Sequence, residues 1–139
     1  MSLDIIFFSN RSNNTARFVK KLGLDNTYRI PIVWDEENPM LHDKPYVLFV
    51  PTYGGGHEDY SVPRPVANFL NIPSNRHGLR AVVGFGNTNF GTHYCKAARI
   101  IAEHVGVPIL ANIELFGTQE DVETVRERLE WLDEQLQLS

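Results

Sequence analysis

Five short runs of apolar, β-branched and aromatic residues recur along this chain, and stretches of helical period separate most of them. That alternation constrains the fold more than any other feature. Parallel strands need crossover connections, so a strand–helix alternation implies a parallel sheet with helices on both faces, an α/β architecture. The first run, residues 3–8, ends at the polar cluster 9–14. A continuous apolar run of that length reads as a strand buried on both faces. Phe18, Val19 and Leu22 fall on one face of a helix that Gly23 can terminate. Residues 28–33 form a weaker strand candidate, demoted to a sheet edge because Pro31 cannot donate to a ladder.

The run 46–50 is closed by Pro51, and Val62, Val66, Phe69 and Leu70 keep helical spacing after Pro63 and Pro65. Residues 79–83 read as the next strand. Tyr94, Ala97, Ala98, Ile101 and Val105 line a helix that Gly106 and Pro108 end. Residues 109–115 form the last strand. Val122, Val125, Leu129, Leu132 and Leu136 then recur at spacings of 3, 4, 3 and 4, which predicts an amphipathic helix. An edge position for the second strand favours a doubly wound five-stranded sheet in the order 2-1-3-4-5. Ligands of such sheets bind at the carboxyl ends of the strands, near the switch point between strands 1 and 3.

The length of 139 residues suits one domain spanning 1–139, and 42% hydrophobic with 11% aromatic content supplies a core. The single cysteine excludes an internal disulfide, a CxxC redox pair, an iron–sulfur cluster and a cysteine-rich zinc site. Redox chemistry would therefore need an organic cofactor. With 13 basic and 17 acidic residues, the net charge of −4 offers no support for nucleic-acid binding. No apolar run approaches the roughly 18 residues of a membrane span. The first ten residues lack the basic flank and cleavage site of a signal peptide. The expectation is a cytoplasmic protein with neither nucleic acid nor membrane as partner.

Three loops, 9–15, 52–56 and 84–91, should emerge together at the carboxyl end of the sheet. The first reads Ser9-Asn10-Arg11-Ser12-Asn13-Asn14-Thr15 and runs into a helix. Hydroxyl and amide side chains there, with free backbone N–H groups and the helix dipole, suit a phosphate. It is neither a Walker A loop nor a GxGxxG turn, and helix capping by Asn or Ser is the plain alternative. The second loop carries Thr52-Tyr53-Gly54-Gly55-Gly56. Three glycines cost conformational entropy and make sense where backbone approaches a ligand or a peptide reorients, although a surface turn remains open. The third, Gly84-Phe85-Gly86-Asn87-Thr88-Asn89-Phe90-Gly91, places amides to bond a heterocycle edge while Phe90 or Tyr94 covers a face. Its alternative is an Asn-rich turn. The coincidence of all three favours a ligand, and the combination fits flavin mononucleotide (FMN). A ring nitrogen protonated on reduction would bond a reoriented carbonyl of the glycine loop.

These motifs carry a resemblance. Phe8-Ser9 with Asn14-Thr15, Arg17-Phe18-Val19, Lys21-Leu22-Gly23 and Pro51-Thr52-Tyr53-Gly54-Gly55-Gly56 are joined by Phe69-Leu70-Asn71, Asn75-Arg76 and Gly86-Asn87-Thr88-Asn89-Phe90-Gly91. Val107-Pro108 and Glu114-Leu115-Phe116-Gly117-Thr118 before Asp121-Val122 complete the set. Over nearly its whole length the chain resembles the NrdI family, flavodoxin-like proteins that serve class Ib ribonucleotide reductase. The resemblance implies FMN, with Ser9, Ser12, Asn13, Asn14 and Thr15 at its phosphate. Thr52, Tyr53, Gly54, Gly55, Gly56, Gly86, Asn87, Asn89, Phe90, Gly91 and Tyr94 would surround its ring. Reduced flavin would react with dioxygen to give superoxide or a related oxidant for the dimanganese site of the reductase's small subunit, where the tyrosyl radical forms. A flavin-reducing partner is also implied, for an accessory redox flavoprotein rather than an independent turnover enzyme. One departure is that Ser12-Asn13-Asn14 stands where the family often has Thr-Gly-Asn. Asn tolerates left-handed geometry best among non-glycine residues, which keeps the turn available.

The alternative is a general flavodoxin-type electron carrier. A carrier of very low potential surrounds its ring with negative charge; here Glu58 and Asp59 are the nearest acids in sequence, which predicts closely spaced flavin potentials. An empty receiver domain is disfavoured because Ser9-Asn10 and Pro51-Thr52 occupy its acidic positions. No pair of the five histidines has metal-ligand spacing, His57-Glu58-Asp59 reads as a solvated loop, and Cys95 as a packed small residue.

Overall fold

The computed structural model describes residues 2–53 and 61–138, without the side chains of Phe90, Thr92 and His93. Strands β1 (Asp4–Phe7), β2 (Thr27–Arg29), β3 (Tyr46–Pro51), β4 (Leu79–Gly86) and β5 (Ile109–Glu114) form one sheet in the order β2-β1-β3-β4-β5. Every pairing is parallel, with Ile6 opposite Leu48, Leu48 opposite Val82, and Gly84 opposite Asn112. The expected order is thus observed. The helices are α1 (Asn14–Leu22), α2 (Arg64–Leu70), α3 (Pro73–His77), α4 (Lys96–Val105) and α5 (Gln119–Leu138), with a 3-10 turn over Thr88–His93.

Alternating strand residues feed two separate cores, as the two-residue period of a strand requires. Ile5, Val47, Phe49, Val83 and Phe85 pack with Phe18 and Leu22 of α1 and Val122, Val125 and Leu129 of α5. Ile6, Leu48, Val50 and Val82 pack with Val66 and Phe69 of α2 and Ala98 and Ile101 of α4 on the other face. Both faces of β1, β3 and β4 are therefore covered, which explains their continuous apolar runs. Phe18 is central to the first core, its ring meeting Phe85 edge-on at 5.3 Å and Phe49 at 6.3 Å.

Several boundaries differ from the sequence expectation. The second strand covers only Thr27–Arg29, not 28–33. Ile30 still donates to Phe7 O (2.8 Å), but Pro31 has no N–H to follow it, and Ile32 and Val33 turn outward, exposed. β4 runs on to Gly86, so Gly84, Phe85 and Gly86 belong to the strand and the third loop begins at Asn87. Tyr94 precedes rather than joins α4, whose N-cap is Cys95. Helix α3, opened by Pro73, was not anticipated. At the amino end of the sheet, Asp133 of α5 accepts from Ser2 N (3.1 Å), Ser2 Oγ (2.8 Å) and Leu3 N (3.1 Å), tying the chain start to the last helix.

Candidate functional site

The carboxyl ends of β1, β3, β4 and β5 converge on a cleft of about 180 Å³. Asn10, Ser12, Asn14 and Thr15 form one wall, Pro51 and Thr52 a second, and Phe85, Gly86, Asn87 and Leu115 a third. The phosphate-type loop and the amide loop thus face each other across the switch point. Of the glycine-rich loop, Gly54, Gly55 and Gly56, with His57-Glu58-Asp59, lie outside the described residues.

The first wall is built by a turn that only a few residue types adopt. Asn13 is left-handed (φ 63°, ψ 18°), the geometry expected where Asn replaces glycine, and it stands at the N-cap of α1 without a side-chain cap bond. Asn10 Oδ1 accepts from both the backbone and the hydroxyl of Ser12, and Asn13 N donates to Asn10 O (3.0 Å). Ser9 is buried, its Oγ accepting from Ala16 N (3.0 Å), so it supports the helix from below the cleft. Backbone N–H groups of Asn14 and Thr15 have no acceptor among the described residues and lie at the positive end of the helix dipole. Two free N–H groups with the Thr15 hydroxyl form a donor set suited to a phosphate dianion, which the Ser12 hydroxyl joins on turning from Asn10.

The second wall is held by the strand ladder. Thr52 N donates to Phe85 O (3.1 Å), and Thr52 Oγ1 accepts from Ala97 N (3.1 Å), capping α4 from the neighbouring strand. Tyr53 N donates to Ser61 O (2.9 Å), which closes the neck of the connection between them. Tyr53 packs edge-on to Phe8 with centroids 6.0 Å apart, and burial raises its phenol above the ordinary value.

In the third wall Asn87 Oδ1 accepts from Asn89 N (2.9 Å), so that oxygen builds the turn and its amide nitrogen is left for other partners. Gly91 adopts φ 57°, ψ −121°, a region essentially restricted to glycine. A Cβ on Gly86 would lie 2.8 Å from Cys95 N, so glycine there lets the Tyr94–Cys95 backbone press against the strand end. Tyr94 is half-buried; burial first, then Cys95, Glu114 and Asp121, raise its phenol. Burial pushes the Cys95 thiol up to about 11. The Phe90 side chain lies outside the described residues.

Three further contributors were not among the residues expected at the site, and two of them, Glu114 and Leu115, lie outside the three loops. Glu114, at the end of β5, accepts from Thr88 N (3.1 Å) and from its hydroxyl. Leu115 enters the cleft from a left-handed backbone (φ 56°). Phe85 floors the cleft while packing in the core. Parallel order places the β5 end beside the β4 end, and that adjacency was the available signal.

A doubly wound parallel sheet with phosphate-type and amide loops facing each other across its switch point defines a flavodoxin-fold protein of the cofactor-binding kind. Two solved structures share the fold. A short-chain flavodoxin associated with a bacterial microcompartment superposes with a TM-score of 0.61 over 96% of this chain and 97% of its own, at 18% identity. A Streptococcus pneumoniae flavodoxin gives 0.60 over 96% and 98%, at 22% identity. The family model described as "NrdI Flavodoxin like" matches residues 5–127, and the chain belongs to that family. Among its relatives, Protein NrdI of Rhodococcus erythropolis is 50% identical, the match covering 90% of this chain and 80% of that one. Protein NrdI of Escherichia coli is 48% identical over 88% of each. Membership implies a flavin cofactor, and the donor set at α1 and the glycine cradle at Gly86 fit one. No helix among the described residues is long and apolar enough to cross a membrane.

Proposed function

We propose that this chain is one flavodoxin-like domain over 1–139 that binds FMN and works in the cytoplasm as an accessory redox protein of class Ib ribonucleotide reductase. The observation that carries the FMN reading is the pair of free N–H groups at Asn14 and Thr15, beside the Ser12 and Thr15 hydroxyls, in a cleft faced by the amide loop. Ser12, Asn13, Asn14 and Thr15 would hold the phosphate, with Ser9 bracing the helix turn behind them. Thr52, Tyr53, Gly54, Gly55, Gly56, Gly86, Asn87, Asn89, Phe90, Gly91 and Tyr94 would enclose the ring. When bound and reduced, the flavin supplies electrons to dioxygen, yielding superoxide or a related oxidant. The small subunit's dimanganese site would use that oxidant to form its tyrosyl radical, and a separate reducing partner would return electrons to the flavin.

Reconstitution tests both levels. The purified protein with FMN should give a flavin absorption spectrum shifted from free FMN, and absence of binding would remove the cofactor assignment. Reduced holoprotein, manganese-loaded small subunit and dioxygen should then give a tyrosyl radical by electron paramagnetic resonance. No radical above the flavin-free control would remove the reductase role.

One observation favours the rival electron carrier. Glu114, and Asp121 beyond it, act electrostatically on Tyr94, which adds negative charge that the loop sequences alone do not reveal. A redox titration separates the two: closely spaced flavin potentials support the oxidant-supplying role, and a very negative second step supports the carrier.

A further inference from the structure

Arg29 ends the edge strand β2, outside all three cofactor loops, yet it reaches the phosphate-type loop at both ends. Its Nη2 donates to Ser9 O (3.2 Å) and to Asn13 Oδ1 (3.4 Å), while the guanidinium lies over the Phe7 ring at 5.8 Å. The Asn13 contact bears on the chemistry of the helix start. An asparagine at the N-cap ordinarily turns its side-chain oxygen onto the N–H of the second or third helical residue. Here Asn13 makes no such bond: its oxygen is directed to Arg29, and the N–H of Ala16 is served instead by Ser9 Oγ. The N–H groups of Asn14 and Thr15 therefore stay available to an outside acceptor.

We propose that Arg29 is a positioning residue for the cofactor phosphate. It draws the Asn13 side chain away from the cap, holds the left-handed turn open, and adds a fixed positive charge behind a site meant for a dianion. The inference rests on the FMN reading above. A guanidinium suits the task because the two N–H groups of Nη2 serve both acceptors while the rest of the planar group lies over the Phe7 ring. If Arg29 merely stapled the edge strand to the sheet, its loss would weaken every flavin equally. A phosphate-directed role instead separates FMN from riboflavin, which has the same ring and ribityl chain without the phosphate.

The test titrates the apoprotein with FMN and with riboflavin, reading the quenching of flavin fluorescence. Arg29→Gln keeps a stem over Phe7 without the charge, and Arg29→Lys keeps the charge without the planar group. Arg29→Gln is expected to weaken FMN binding roughly tenfold and to change riboflavin binding by less than about twofold. Arg29→Lys should recover part of the FMN loss, with thermal melting of all three proteins alike. Unchanged FMN affinity in Arg29→Gln would overturn the inference, as would equal losses for both flavins. A wild-type protein that binds riboflavin as tightly as FMN would overturn it too, by removing the phosphate site. Binding of neither flavin by the wild type would overturn the FMN reading and this inference together.

Discussion

Removing the side chain of Asn75 tests the account of how the far end of the sheet is held. Asn75, in α3, is completely buried. Its Oδ1 accepts from His42 N (2.8 Å), and its Nδ2 donates to Met40 O (2.9 Å) and Phe69 O (3.0 Å). Its own carbonyl accepts from the Tyr46 hydroxyl (2.7 Å). One side chain thus joins the long connection before β3 to the last turn of α2. Asn75→Ala deletes three hydrogen bonds; His42 N and Met40 O are left to find water, while Phe69 O keeps the long bond from Ile72 N at 3.4 Å. Phe69 O lies buried in the core, while Met40 and His42 are partly accessible. At about 0.5–1.5 kcal/mol for each of the three bonds, the loss is about 2–4 kcal/mol. That is a large share of the roughly 5–15 kcal/mol a domain of this kind has. Urea denaturation followed by circular dichroism should show a lower midpoint with an unchanged slope. Asn75→Asp should be worse at neutral pH, because a carboxylate oxygen would then face the Met40 and Phe69 carbonyls. Since α3 lies at the end of the sheet opposite the cleft, folded Asn75→Ala should bind flavin as the wild type does. A loss below about 1 kcal/mol would refute the reasoning.

Three further outcomes follow from the site. Gly86→Ala puts a methyl 2.8 Å from the Cys95 backbone nitrogen; it should cost about 1–3 kcal/mol by denaturation and weaken FMN by displacing Tyr94. Gly91→Ala has open space around its Cβ but a backbone at φ 57°, so a cost of about 1–3 kcal/mol would come from conformation alone. Cys95 gives a pH signature. Its thiol sits at about 11 in the fold against an ordinary 9.0, so between those values the native state keeps a proton that the unfolded chain releases. The stability this contributes is complete below pH 9 and is lost as pH rises toward 11, on the order of 2–3 kcal/mol. Cys95→Ala should flatten that part of a pH-dependent denaturation series, and an unchanged alkaline slope would contradict the burial argument.

Strand order was legible because Pro31 fixes an edge and apolar runs mark buried strands, whatever the rest of the chain does. Helix faces were legible for the same reason, as Val122, Val125, Leu129 and Leu132 all reach the core. Boundaries were less so. Gly84 and Gly86 look like loop residues in isolation, yet they extend β4 because its neighbours β3 and β5 offer a ladder and because α4 approaches too closely for a Cβ. Within the site, Asn13 could be read as the residue that replaces a glycine, since left-handed backbone is a local preference. The role of Ser9 could not: its hydroxyl serves Ala16 from beneath the cleft, and only the packing of α1 against β1 turns it inward.

The chain by itself determined the doubly wound fold and its strand order. A lone cysteine, three polar or glycine-rich loops after strands 1, 3 and 4, and an edge proline are local properties written in residue types. What only the tertiary structure decided is which groups outside those loops act on the site. Arg29, Glu114 and Leu115 come from β2 and the end of β5, whose loops were not suspect, and they reach the walls of the cleft because parallel pairing brings distant carboxyl ends together. Electrostatics and hydrogen bonding act through space, so the surroundings of the cleft are set by strand adjacency rather than by position along the sequence.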